Sequence, residues 1–133
     1  MTARPIGVAI AGLGFGEKVH LPALQANAEL TPVALWHPRP ARLEQACSTH
    51  GLPGHSDWGD LLADPAVEAI VIATPPAPRH ELARQALLAG KHLLLEKPVA
   101  LQADQARDLQ RLAMERQLSV AVNYEYRAVP LFM

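Results

Sequence analysis

Five short apolar runs recur along the chain, each followed by a longer stretch of helical spacing, and this alternation limits the fold more than any other feature. The runs are IGVAIAG (6–12), ELTPVALWH (29–37), EAIVIAT (68–74), KHLLLE (91–96) and LSVAVNY (118–124). They are continuously apolar rather than strictly alternating, the pattern of strands covered on both faces. Strands separated by helices predict right-handed βαβ units around a parallel sheet. Between them, PARLEQACSTH (40–50) predicts a helix with Pro40 in its first turn and Gly51 as its stop. PRHELARQALLAG (78–90) repeats the design, with Leu82, Ala83, Ala86 and Leu87 as an apolar stripe and Gly90 at the cap. QADQARDLQRLAMERQ (102–117) places Ala103, Ala106, Leu109 and Ala113 on one face. SDWGDLLADP (56–65) predicts a short helix capped by Ser56 or Asp57.

Bulk properties narrow the function classes. A chain of 133 residues, half of them hydrophobic, suits one domain with one core. Twelve basic residues against 13 acidic ones leave no excess to bind a phosphate backbone, so nucleic acid is not an expected partner. The apolar runs are too short to span a bilayer, and no membrane association is expected. The single cysteine, Cys47, precludes an internal disulfide and fits a reducing cytoplasm. It is expected to be a buried small hydrophobe rather than a nucleophile. No metal site is expected. The chain closes on EYRAVPLFM (125–133), which reads as the opening of a further element, so the expectation is an N-terminal piece of a longer protein.

Chemistry enters at AGLGFGEKVHLPAL (11–24), directly after the first run. Gly12 and Gly14 meet the first two requirements of a G-x-G-x-x-G phosphate turn: a tight bend, and close approach of backbone to a pyrophosphate. Gly16 comes one residue early for the third, and Glu17 occupies that third place. The pattern alone leaves a dinucleotide site, a purely structural turn and another nucleotide-type ligand such as S-adenosylmethionine all open. At the end of the second run His37 stands where a carboxylate would bind a ribose 2′-hydroxyl, and Arg39 and Arg42 follow. An arginine there can take a 2′-phosphate, which favours NADP over NAD, although both could equally be solvated surface charges. At the end of the fourth run stand Glu96, Lys97 and Pro98. A lysine at the carboxyl edge of a parallel sheet can hydrogen-bond a substrate oxygen or move a proton; a plain surface Glu–Lys pair is the alternative. Pro98 would stiffen that turn, and a cis Lys97–Pro98 bond is compatible with it.

Taken together, GLGFGEKVHLPAL, ATPPAPRHELARQALLAGKHLLLEKP and VNYEYR resemble the glucose–fructose oxidoreductase/inositol dehydrogenase (Gfo/Idh/MocA) family of two-domain NAD(P)-dependent sugar and polyol dehydrogenases. The resemblance covers essentially all 133 residues as that family's N-terminal Rossmann domain, a doubly wound parallel sheet in a three-layer αβα arrangement. It implies that Gly12, Gly14, Phe15 and Gly16 form the pyrophosphate turn. It implies that Thr74, Pro75 and Pro76, with His80 opening the next helix, line the cofactor's path. Glu96, Lys97 and Pro98 match the family's EKP, whose lysine lies near nicotinamide and substrate, and Asn123 falls where a nicotinamide- or substrate-side polar residue is frequent. His20 fits an H-x-P-A helix and is expected to be structural.

The activity so implied is hydride transfer between a nicotinamide cofactor, NADP before NAD, and an alcohol or carbonyl of a small-molecule substrate. Lys97 is the expected catalytic residue. The substrate domain and its histidine would follow residue 133, so the fragment is expected to be slow or inactive alone, with sheet surface exposed and homo-oligomerisation favoured. The alternative is a non-catalytic nicotinamide-binding sensor or assembly module. Glu17 is expected to point outside the pyrophosphate crevice.

Overall fold

The structure, a computed structural model, describes residues 4–124. EYRAVPLFM, the basis for expecting a further element, lies outside the described residues, as does the EYR of VNYEYR. Six parallel strands form one sheet: β1 (Ile6–Ala11), β2 (Leu30–Trp36), β3 (Gly54–His55), β4 (Ala69–Ile72), β5 (His92–Glu96) and β6 (Val120–Asn123). Their order across the sheet is β3-β2-β1-β4-β5-β6. The chain therefore winds outward from β1 in one direction, then from β4 in the other, as a doubly wound Rossmann-type sheet does.

The expected strands all form, each trimmed by one to three residues, and the trimming frees the residues that matter chemically. Gly12, His37 and Thr74 all fall just past a strand end. The two-residue β3 escaped prediction because it is too short and too polar to carry a pattern.

Helices cover the sheet from both sides, which explains the unbroken apolar runs. Ala9 and Ala11 of β1, with Ile70 and Ile72 of β4, pack beneath α3 (Trp58–Ala63), α4 (Pro76–Leu88) and α5 (Ala103–Arg116). Val8, Ile10 and Val71, the intervening residues, pack under α1 (Leu21–Gln25) and α2 (Pro40–His50). One β1 residue faces each core in turn. Asp57, not Ser56, caps α3 by accepting from the Asp60 amide.

Two helical readings need correction. α4 starts at Pro76 rather than Pro78, because a proline in the first turn lacks only an N–H that has no partner there. On α5 the buried face is Leu109, Leu112 and Ala113, while Ala103 is exposed at the first turn. That helix ends on Gln117 in the left-handed region, φ 56°, with no glycine to mark it. Cys47 is half-buried beside the α1/α2 core, and burial pushes its thiol up. No helix among the described residues is long and apolar enough to cross a membrane.

Leu87 and Leu88 test this packing side by side, since Leu87 is fully buried and Leu88 is 38% exposed. Leu87→Ala is expected to cost about 3 kcal/mol and Leu88→Ala less than about 0.5 kcal/mol, read from urea unfolding. Equal losses would contradict the assigned face of α4.

Candidate functional site

The strand order reverses between β1 and β4, and at such a reversal the loops leaving the two carboxyl ends diverge and open a crevice. Gly12 makes that crevice open where it does. Its φ is +98°, and a Cβ there would stand 2.7 Å from the Ala73 carbonyl oxygen. Only glycine allows β1 to turn away this close to the end of β4. Gly14, by contrast, would carry a Cβ into open space, so its backbone faces the cleft bare.

Gly16 answers the question of the misplaced third glycine. It is buried, and a Cβ on it would meet the Ile10 side chain at 2.7 Å. Residues Gly16–His20 form a single wide π-helical turn before α1, so the close helix–strand approach occurs one residue earlier than the pattern expects. Glu17 is thereby turned out of the contact. Its carboxylate accepts from Arg42 and from His50 Nε2 at 2.9 Å, both on α2, and it does not line the cleft. Burial works to raise the Glu17 pKa, but the hydrogen bonds and charges of Arg42 and His50 outweigh it, and the carboxyl is held below its ordinary range.

The cleft measures about 810 Å³. Gly12, Leu13 and Gly14 form one wall; Trp36, His37, Pro38 and Arg39 form its far end; Ala73, Thr74, Pro75, Pro78 and Leu82 form the other wall. Arg39 is exposed at its rim. His37 Nδ1 accepts from the Arg39 amide at 3.0 Å, and burial, then the charges of Arg42 and Arg39, push the imidazole below its usual range. The His37 ring thus stands at the cleft end with Nδ1 occupied by the Arg39 amide.

Ala73 also borders a second pocket of about 270 Å³, lined by Phe15, Arg79, Glu96 and Lys97. Lys97 is exposed there, and the Lys97–Pro98 bond is cis. Glu96 is buried, and its Oε1 lies 2.6 Å from His20 Nε2 and 2.8 Å from Asn123 Nδ2. Asn123 is its register partner on β6, so strand pairing alone brings the two together. His20, the last residue of the π turn, stands edge-on to Phe15 with ring centroids 5.3 Å apart. The glycine turn and the EKP turn are thus joined through one buried contact.

Not every anticipated residue reaches the cleft. Arg42 is directed to Glu17 and to the Leu13 carbonyl, 3.1 Å away, and so braces the glycine turn from behind. His80 faces the other way, 2.9 Å from Asp108 on α5. Pro76 sits at the first position of α4 beside the lining Pro75. Arg79 is a residue that sequence reasoning missed. It lies 3% exposed on the buried stripe of α4, and its one legible signal was an arginine at apolar spacing from Ala83 and Ala86.

The residues present fit a dinucleotide. The cleft has the volume of a small-molecule site, a side-chain-free turn that admits a pyrophosphate, and a cationic rim at Arg39. The comparisons with known proteins agree. A family model described as an oxidoreductase family with an NAD-binding Rossmann fold matches residues 6–124. An uncharacterised oxidoreductase of Synechocystis sp. is 40% identical over 132 residues, covering 98% of this chain and 36% of that protein. An inositol 2-dehydrogenase/D-chiro-inositol 3-dehydrogenase of Lactiplantibacillus plantarum is 36% identical over 107 residues, 77% of this chain and 30% of that one. A 3-ketoreductase from Actinomadura kijaniata, solved with NADP and TDP-benzene, superposes with a TM-score of 0.89 at 30% identity, covering 95% of this chain and 39% of its own. The chain spans about a third of the length of the curated relatives it matches.

Glu17→Gln tests the brace. A carboxyl with a depressed folded pKa stabilises above its ordinary range, and that stability is lost as pH falls through the folded value. The variant is expected to be about 2 kcal/mol less stable at pH 7, with the difference closing as the pH is lowered below about 4. A gap independent of pH in urea unfolding would show that the ionised carboxylate is not what matters.

Proposed function

The chain belongs to the Gfo/Idh/MocA oxidoreductase family, and from that premise we propose that it is the cofactor-holding part of an NADP-preferring oxidoreductase. The reaction is hydride transfer to or from an alcohol or carbonyl carbon of a sugar- or polyol-like small molecule. The observation that carries the reading is that Ala73 borders both pockets, so that Lys97 lines a pocket adjacent to the cleft that the glycine turn begins. The inositol-acting relative and the ketoreductase bound to a TDP compound support the substrate class.

In this reading Gly12, Gly14, Phe15 and Gly16 shape the turn that receives the pyrophosphate, with Leu13 braced by Arg42. Arg39, and not Arg42, meets the 2′-phosphate, because Arg42 is already committed to Glu17. His37 closes the adenosine end, and Thr74 and Pro75 form the opposing wall. When bound, the nicotinamide supplies the hydride donor or acceptor. The protein's own part is to orient the substrate oxygen and manage its proton. The Lys97 ammonium donates a hydrogen bond to that oxygen, stabilising negative charge as the C–O bond order changes. The histidine that the resemblance assigns to a second domain exchanges the proton, so residues 1–133 alone bind nucleotide but turn over slowly or not at all. A non-catalytic sensor would have no use for a lysine at the nicotinamide end.

Two measurements test this. In the full-length protein Lys97→Ala is expected to lower turnover about 10²- to 10⁴-fold while nucleotide still binds; unchanged turnover would refute hydride-transfer chemistry at Lys97. Following nucleotide fluorescence, Arg39→Ala is expected to weaken NADPH about tenfold and NADH less than about twofold. Equal affinity of the unaltered protein for both nucleotides would refute the NADP preference.

A further inference from the structure

Arg79 is the most deeply buried cation among the described residues, at 3% exposure, and no acidic side chain hydrogen-bonds it. Its Nη1 donates to the Glu96 carbonyl at 2.6 Å and to the Pro98 carbonyl, and its Nη2 donates to the Thr74 carbonyl. Its Nε has no partner among the described residues. Burial pushes the guanidinium below its usual range, with the nearby Glu96 carboxylate opposing. Such a group is costly to bury, and a leucine would pack on α4 without that penalty.

The three carbonyls explain the arginine. Thr74 belongs to the wall that β4 contributes to the crevice, whereas Glu96 and Pro98 flank Lys97 on the wall contributed by β5. None of the three residues lies between two ladder partners that could take its carbonyl, since each stands at or past a strand end. We propose that Arg79 is a positioning residue: its planar guanidinium ties the two walls together and fixes Lys97 by gripping the carbonyls on either side of it. Lysine could not replace it, because one rotatable ammonium cannot address carbonyls on two walls in one rigid plane. The inference rests on the reading of Lys97 given above, and it adds the group that holds Lys97 in register with the cleft. Errors of about 1 Å in such placement cost on the order of 10²-fold in rate, which makes the grip consequential.

Lysine acetylation tests the proposal without needing the substrate. Full-length protein, with and without saturating NADPH, is treated with a trace of acetic anhydride, and Lys97 labelling is read by mass spectrometry against the exposed Lys18. In the unaltered protein NADPH is expected to slow Lys97 labelling about tenfold or more, as a lysine held at the nicotinamide end requires. In Arg79→Ala the protection is expected to fall below about twofold at saturation, with Arg84→Ala, a half-exposed neighbour on α4, unaffected. Arg79→Lys, which keeps the charge, is expected to lose protection as well and decides the matter if the alanine variant does not fold. Full protection in a folded Arg79→Ala, or its complete recovery in Arg79→Lys, would overturn the proposal. Absence of protection in the unaltered protein would overturn it differently, by removing Lys97 from the cofactor's reach and with it the reading of the site.

Discussion

No side chain can stand between the end of β1 and the end of β4. A Cβ on Gly12 would lie within 3 Å of the Ala73 carbonyl carbon, its oxygen and the Thr74 nitrogen. The consequence is geometric. With the strands this close, β1's outgoing chain must swing to one side and β4's to the other, and the crevice is the space between them. The turn beyond Gly12 then has to return over β1, and Gly16 lets it do so directly against Ile10. The nucleotide end of the site and the helix packing behind it are two results of one close approach.

Charge burial follows from the same crowding. Three ionisable groups sit behind or beside the crevice, and each is matched to a different kind of partner. Glu17 takes two cationic side chains from α2, Glu96 takes a histidine and an amide, and Arg79 takes backbone carbonyls. Surface ion pairs contribute about 0–1 kcal/mol, so pairs of that kind would not hold loops in place. Buried ones differ in that losing one partner leaves the other uncompensated, at a cost of about 3–5 kcal/mol for a fully buried pair and less for the partly exposed Glu17–Arg42 pair. These contacts specify geometry more than they add stability: they make the alternative loop positions expensive.

The sequence-level reading succeeded where a residue's neighbours are near in sequence or set by a regular period. Val8 to Ala11 read as a two-faced buried strand because both cores fall on the same four residues. That Lys97 follows directly on the carboxyl end of β5 was legible because the strand before it is an apolar run. Illegible features depended on distant partners. Glu17 looked like an error in a glycine pattern, and its fit depends on residues 25 and 33 positions away. Arg79 carried no local signal of its role because its three carbonyls come from two loops that only the folded sheet brings together. His80, the histidine beside it, was expected on the cofactor's path from the family resemblance, yet it pairs with Asp108. On α5, alanines left the stripe's phase ambiguous; Leu112, omitted from the expected face, settles it with Leu109.

Among the described residues the sheet is covered unequally, and where it is bare bears on the site. α1 and α2 shield β1 and β2, but on the same side Leu94 of β5 is half-buried and Ala121 of β6 is exposed. A shallow apolar groove of about 200 Å³ runs there, from Leu24 and Leu30 past Ala69 to Ser119. Those residues sit at or near the amino ends of β2, β4 and β6, whereas Lys97, Thr74 and Gly12 follow the carboxyl ends of their strands. In a parallel sheet the two ends are separated by the strand length, about 3.3 Å per residue. Covering the groove therefore leaves the crevice open. The buried contacts of Glu96 and Arg79 lie on the crevice side, away from that groove.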